Sequence, residues 1–502
     1  MRIKIILLAM LSAALVSCEK TKTDPSPSPS PSPKTDPEES EDYRVNKCLR
    51  DDIMSVYYYW AEEVYEANKK LDLNKYSIFD AFDAMLYKDD RWSFMESGES
   101  YLAVATGAIS GTWGLSLAQR SDCREVGDYN VYVKYIFPES PLAAKGVTRG
   151  ARLTGIKGLD MPDHGFNTTE QIEYFNEHLY DSPQIFNFTL TNGEKVAFEL
   201  EMPESVNTNY ILSSQIFDGD DFDGLAEPVG YFNYLSFKLG FISDLDAAFA
   251  EFKKAGVKKM IVDLRYNGGG DGDASQRLIS YLAPAGLQGK PYRTRKHNNL
   301  LSSQNASNYI GKLDGGEYTD ISIGLDEIFF IMDNSSASAS ELVFNGLRPY
   351  MRDNLHFVGK QTYGKPNGMY VLFYPGDEKA AAKYDKGDYS GLKWVFYPIC
   401  FFNVNSAGEF IPYGPKTPSG FLPDNERPDD ILHDFGVDED RVKACLNYIV
   451  TGSYPDLPET KSLDSVSGGV RGIKVESLAP EWQTNPHYGT DEVVVYGSHS
   501  TF

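Results

Sequence analysis

The chain has 502 residues, too many for one ordinary domain; at roughly 100–200 residues per domain it asks for about three. Hydrophobic residues make up 41% and aromatic residues 13%, which excludes global disorder, because such a chain can bury real cores. With 48 basic against 72 acidic residues the formal charge is −24, and a chain this acidic repels phosphate backbones, so nucleic acid is not an expected partner.

Arg2 and Lys4 precede an apolar run from Ile5 to Val16 that closes on Leu15-Val16-Ser17-Cys18. A basic start, a short apolar stretch and small residues before the break read as a secretory signal over residues 1–17, and the run is shorter than the about 20 residues a bilayer span needs. Residues 18–42 form a tether, because D-P-S-P-S-P-S-P-S-P-K-T-D-P at 24–37 favours extended polyproline conformation. The Leu-Val-Ser-Cys ending resembles the lipobox of bacterial lipoproteins, which implies a lipidated Cys18 and a membrane-anchored protein of the cell envelope; Glu19 does not decide between inner and outer membrane, of which the outer is preferred, with a periplasmic or surface-facing body. Cys48, Cys123, Cys400 and Cys445 fit no zinc spacing, and neither a metal nor a cofactor is expected.

Residues 43–100 read as a helical cap, with aromatic Tyr57 to Trp60 followed by Phe79, Phe82 and Leu86 at i, i+3 and i+7. Residues 101–205 hold short strands punctuated by glycine, including Gly111 to Leu117 and Val131 to Ile136, then Pro138 to Val147 and Arg149 to Leu153. This order resembles a PDZ domain of the bacterial protease type. The resemblance implies a carboxylate-binding loop at Gly114, Leu115, Ser116 and Leu117, beside which a peptide adds as a strand. Ala151 stands where that family usually has Asp.

Residues 206–455 change to an α/β pattern. Val229 to Leu235 and Lys259 to Leu264 are strands flanking a helix whose face carries Leu245, Ala248, Phe249 and Phe252, with Gly256 placed to end it. Glu327 to Met332 is a buried strand, followed by a helix from about Ser338 that should stop near Arg348 because Pro349 comes next. Residues 456–502 are a polar tail, interrupted by Asp491 to Tyr496, a run suited to adding a strand. That run weakly resembles the energy-coupling segment of outer-membrane receptors.

Two segments carry the chemistry. Asp263-Leu264-Arg265-Tyr266-Asn267-Gly268-Gly269-Gly270 lies at a strand end, where glycines let backbone N–H groups approach a reacting group. Asp333-Asn334-Ser335-Ser336-Ala337-Ser338-Ala339-Ser340-Glu341 lies at a strand-to-helix turn, the setting of a nucleophile elbow. Ser338 with Glu341 also forms an S-x-x-E capping box, and both readings can hold together, with Ser338 capping and Ser340 reacting. None of the seven histidines sits in a motif-like context, whereas Lys365, in Val358-Gly359-Lys360-Gln361-Thr362-Tyr363-Gly364-Lys365, can act as a base once desolvation or nearby positive charge lowers its pKa from about 10.4.

Together the D-L-R-x-N-x-G-G, S-A-S-A-S-E and V-G-x-x-T-x-G-K boxes resemble the S41 peptidases, the C-terminal (tail-specific) processing proteases, over about residues 43–450. Gly420-Phe421-Leu422-Pro423-Asp424 resembles the family's G-I-x-P-D element. The resemblance implies a multidomain α+β chain: helical cap, PDZ-like β-rich module and an α/β, ClpP/crotonase-like serine protease core. It implies Ser340 as nucleophile, Lys365 as general base, and an oxyanion hole from Gly268, Gly269 and the N–H of Glu341. The expected activity is endoproteolysis of unstructured or C-terminal segments of envelope proteins; the alternative is a non-cleaving, PDZ-type peptide-binding lipoprotein. The family commonly has Gln four residues after the Lys to orient it; here that position is Met369, so either another polar group, with Gln361 as the candidate, is expected to hold the amine or the dyad works unaided. A further expectation puts the terminal Ser500-Thr501-Phe502 in the PDZ groove, as a brake.

Overall fold

The computed structural model describes residues 40–457, apart from 100, 102–107, 110–111, 120–129, 162–165, 167, 314–315, 375–377 and 385–387, together with 492–495. Cys18, Cys123, the signal, most of the tether and the terminal Ser500 to Phe502 lie outside the described residues. The fold is mixed α/β in a multidomain α+β arrangement. No helix among the described residues is long and apolar enough to cross a membrane.

Helices Glu41–Cys48, Ala61–Asn68 and Ile78–Met85 open the chain. The buried stripe of the third is Ile78, Ala81, Phe82 and Met85, while Phe79 is half-exposed. The expected i, i+3, i+7 pattern from Phe79 was therefore one residue out of phase at its start. The helical pattern also ends early: Phe94–Ser97 is a strand, paired antiparallel with Trp394–Tyr397. A five-stranded antiparallel sheet follows, in the order 115–119, 131–136, 152–156, 184–189, 195–200, with a short pairing at 159–160 and a helix at Thr169–His178.

The α/β core is built on a twisted sheet of β1 (Ile211–Phe217), β2 (Val229–Tyr234), β3 (Lys259–Asp263), β4 (Glu327–Met332) and β5 (Leu355–Gly359), in that spatial order. β1 runs antiparallel to β2, and β2 through β5 are parallel. β2 is wholly buried, as expected of a parallel strand covered on both faces. Helices α1 (Ile242–Lys254), α2 (Gly272–Leu282) and α3 (Ala339–Met351) supply the crossovers. Gly256, at φ +74°, follows α1 as anticipated. α3 does not stop at Arg348 but carries Pro349 inside its last turn. The carbonyl that Pro349 leaves without a helical donor belongs to Asn345, and it accepts from Asn405 Nδ2 at 3.2 Å instead.

A second sheet carries β6 (Asn367–Phe373) beside β7 (Ile399–Val404), with 394–397, 94–97 and 291–297 further out. The N-terminal helices pack on this sheet, sharing one core through Leu49, Tyr58, Phe82, Met369, Phe396 and Phe401. Residues 492–495 of the tail pair parallel with Tyr370–Phe373, so the strand expected there is added to the chain's own sheet. Cys48, Cys400 and Cys445 are free thiols.

One buried ionic cluster fastens the core. Arg265 Nε lies 2.9 Å from Asp263 Oδ1, its Nη1 2.9 Å from Asp429 Oδ1, and its Nη1 and Nη2 grip Glu439 at 2.5 and 2.8 Å. Burial works against the Asp429 charge, yet Arg149, Arg441 and Arg265 hold its carboxyl well below the usual carboxylate range. Replacing Arg265 by leucine leaves three carboxylates without this cation, and a loss of about 3–5 kcal/mol of unfolding free energy is expected in urea titrations. A wild-type midpoint for Arg265→Leu would contradict this account.

Candidate functional site

The parallel topology brings three strand ends together. β3 runs out into the 264–270 turn, β4 into the 333–338 turn, and β5 into the 360–366 loop, the switch-side location where α/β sheets place their sites. The first two turns are laid on one another: Ala337 N–H donates to Asn267 O at 3.1 Å, and Ser336 Oγ donates to Leu264 O at 2.9 Å. The third is tied on through Tyr363 N–H to Ser336 O at 3.0 Å. Gly269, at φ +113°, must be glycine for this contact, since a Cβ there would stand 2.9 Å from Ser338 Cβ and 3.0 Å from Ala339 N.

Ser340 and Ser338 occupy different environments. Ser340 is the second residue of α3, fully buried, and its Oγ donates to Asn267 O at 2.9 Å. Ser338 is the residue before the helix, partly exposed, and is held at φ +53°, ψ −110°. Positive φ at a serine is sparsely populated backbone, and such strain clusters at functional turns. The hydroxyl at the elbow is therefore that of Ser338, and the one singled out from sequence, Ser340, is a buried brace for the glycine turn.

Glu341 is the hub of the site. Its Oε2 accepts from Ser338 N–H at 3.1 Å and from Lys365 N–H at 2.8 Å, so a single carboxylate oxygen separates the two backbones. Its Oε1 accepts from Gly364 N–H at 2.8 Å and Thr362 Oγ1 at 2.5 Å. Burial pushes the Glu341 carboxyl up to about 7, against the pull of these donors. The 420–421 segment closes the hub: Phe421 N–H donates to Thr362 Oγ1 at 2.7 Å, and a Cβ on Gly420 would collide with Glu341 and Thr362.

Lys365 is buried, with Nζ 3.9 Å from Met369 Sδ. Gln361, expected to hold that amine, instead donates through Nε2 to Gly420 O at 3.3 Å. In the glycine turn, Gly269 N–H is taken by Asn267 Oδ1 at 2.9 Å. Gly268 is the partly exposed residue of the turn, and its N–H has no hydrogen-bond acceptor among the described residues.

The other expected binding residues lie apart from this cluster. Leu115, Ser116 and Leu117 begin the edge strand of the five-stranded sheet with buried side chains, and Gly114 precedes them at φ +69°, packed against Val206. That module reaches the site through other residues, which the sequence reading passed over. Tyr135 stacks on Tyr266 at 5.9 Å, and Arg149 Nη1 donates to Tyr266 Oη at 3.0 Å. Arg149 also bonds Asp429 at 3.0 Å and His433 O at 2.9 Å. Tyr266, at φ +67°, directly precedes Asn267. Among the described residues no group of His, Cys, Asp and Glu is placed to hold a metal ion.

No curated protein sequence matches this chain. A solved structure of an S41 protease from Bacteroides fragilis NCTC 9343 is similar in fold, with a TM-score of 0.59 at 20% identity, over 80% of this chain and 96% of that one. The photosystem II D1 C-terminal processing protease matches at a TM-score of 0.42 and 15% identity, over 77% of this chain and 93% of that one. Residues 228–390, which carry the glycine turn, the serine turn and Lys365, match the family model described as Peptidase family S41.

Proposed function

We propose that the protein is a serine endopeptidase working through a Ser338–Lys365 dyad, with Ser338 in the role that the sequence pattern alone gave to Ser340. The observation that carries this reading is the shared Glu341 oxygen, which sets the backbones of Ser338 and Lys365 side by side beneath the glycine turn. Burial disfavours a charged amine, so Lys365 is suited to take the Ser338 hydroxyl proton as Oγ attacks the substrate carbonyl carbon. Ala339 N–H at the start of α3 and Gly268 N–H would receive the oxyanion, with the helix end favouring its charge. Lys365 then passes the proton to the departing amine, and water hydrolyses the acyl-enzyme.

Histidine is the competing base. The four described histidines whose bonds are resolved are engaged elsewhere: His178 with Asp181, His297 with Tyr370, His356 with Glu327 and His433 with Asp430. Lys365→Met is expected to lower hydrolysis of an unfolded protein substrate by about 10³-fold or more, while alanine at His178, His356 or His433 leaves it within a few-fold. Activity surviving in Lys365→Met but lost in one histidine variant reverses the assignment. Wild-type protein that binds such a substrate and leaves it intact would favour the non-cleaving peptide-binding lipoprotein instead.

The sheet over 115–200 supports reading that part as the PDZ-like module, with an edge strand open to an incoming peptide terminus. The sequence at 1–42 supports a lipid anchor at Cys18 and a polyproline tether in the cell envelope. The substrates proposed are unstructured or C-terminal segments of envelope proteins.

A further inference from the structure

Asn367 is the first residue of β6, two positions beyond Lys365, and is 2% exposed. Both polar atoms of its amide, Oδ1 and Nδ2, lack a hydrogen-bond partner among the described residues. A buried amide with neither end satisfied is rare in a folded protein and calls for a reason. The strand geometry supplies one. Within β6, residues 367 and 369 point to the same side. The register shift opposite them falls in β7, where Gly368 faces Phe401 and Met369 faces Ile399, so Cys400 is the extra residue and β6 keeps its alternation. Lys365 Nζ reaches Met369 Sδ at 3.9 Å, and a side chain that spans from 365 to 369 passes over 367.

We propose that Asn367 is the positioning residue for Lys365, its Oδ1 accepting an N–H of the amine when Nζ turns from the Met369 sulfur toward Ser338. A thioether is a weak acceptor and directs an amine poorly, whereas an amide oxygen fixes where the lone pair points. Asn367 thus does, from two residues away, what an amide four residues beyond the lysine does in the family this chain resembles. The inference rests on Lys365 being the base.

The experiment compares kcat, KM and melting temperature, on an unfolded protein substrate, for Asn367→Ala, Asn367→Ala with Met369→Gln, and Lys365→Met, all in the full chain. Asn367→Ala is expected to lower kcat about 10- to 100-fold with KM unchanged, the size of effect that misdirection of a reacting group produces. Its melting temperature should be unchanged or raised, because the group removed satisfies nothing in the fold. Adding Met369→Gln returns an amide to the same face and should restore kcat to within about fivefold. Wild-type kcat in Asn367→Ala overturns the proposal, as does a kcat loss that tracks a lowered melting temperature and is not rescued by Met369→Gln. If Lys365→Met itself keeps activity, the dyad reading fails, a result distinct from failure at Asn367 alone.

Discussion

Alanine in place of Ser338 is expected to abolish peptide hydrolysis, by about 10⁴-fold or more in kcat/KM, while Ser340→Ala loses no more than about tenfold. The difference follows from position on α3. Ser338 stands outside the helix at positive φ, partly open to solvent, with the glycine turn within van der Waals reach of its Cβ. Ser340 lies one helical step further in, sealed from solvent, its proton committed to Asn267 O. Losing that bond costs about 1 kcal/mol and loosens the turn, a modest penalty beside loss of the nucleophile. The sharpest measurement is covalent: a serine-directed fluorophosphonate should label a peptide at Ser338, with labelling absent in Ser338→Ala and retained in Ser340→Ala. A label on Ser340, together with an active Ser338→Ala, returns the role to the buried serine. The melting temperature of Ser338→Ala should stay close to wild type, since the substitution removes one partly exposed hydroxyl.

The framework was legible because parallel strands announce themselves. β3 and β4 carry the apolar runs Met260–Val262 and Ile328–Met332, closed by Gly-rich and Ser-rich turns, and the crossover helix α1 shows its buried Leu245, Phe249 and Phe252 on one face. The boxes were equally plain, and the turns that carry them meet as their order implied. The serine pair was hard to sort because two serines flank one alanine, and one-dimensional spacing does not tell a helix cap from the first turn. The capping box already carried the distinction: an N-cap residue stands outside the helix, so the residue read as a cap is the one outside α3, while Ser340 lies within it. Glu341 was valued for its N–H, yet its carboxylate does the joining, through partners 21 to 24 residues away that no local pattern connects. Arg149 is harder still, since its partners lie from 15 to 284 residues distant and only the folded topology brings them together. Pro349 misled for a local reason, because its freed carbonyl is satisfied by Asn405, far along the chain.

Glu341→Ala is expected to cost about 3–5 kcal/mol of stability and to reduce activity by about 10³-fold. Three buried donors, Thr362 Oγ1, Gly364 N–H and Lys365 N–H, and the part-buried Ser338 N–H lose their acceptor at once, at roughly 1–3 kcal/mol for each buried one before relaxation and water entry. The activity loss follows because the carboxylate that fixes Lys365 against Ser338 is gone, leaving Tyr363 N–H to Ser336 O to tie the lysine loop to the serine turn. Glu341→Gln separates the joint from its charge. Burial raises the carboxyl from its ordinary 4.5 to about 7, so between those values the folded state holds a proton that the unfolded chain has released. The stabilisation tied to that proton is complete below about pH 4.5 and is lost as pH climbs through 7, a total of about 3 kcal/mol. Asp429 and Glu439 act with the opposite sign, because their carboxyls are held below the ordinary range and their contribution disappears as pH falls. Their effect is common to wild type and Glu341→Gln and cancels in the difference. Urea unfolding from pH 4.5 to 8 should therefore show wild type losing stability relative to Glu341→Gln as pH rises, with the gap levelling off above about 7. Parallel curves would mean that Glu341 keeps its charge throughout this range and joins the two turns as a plain carboxylate.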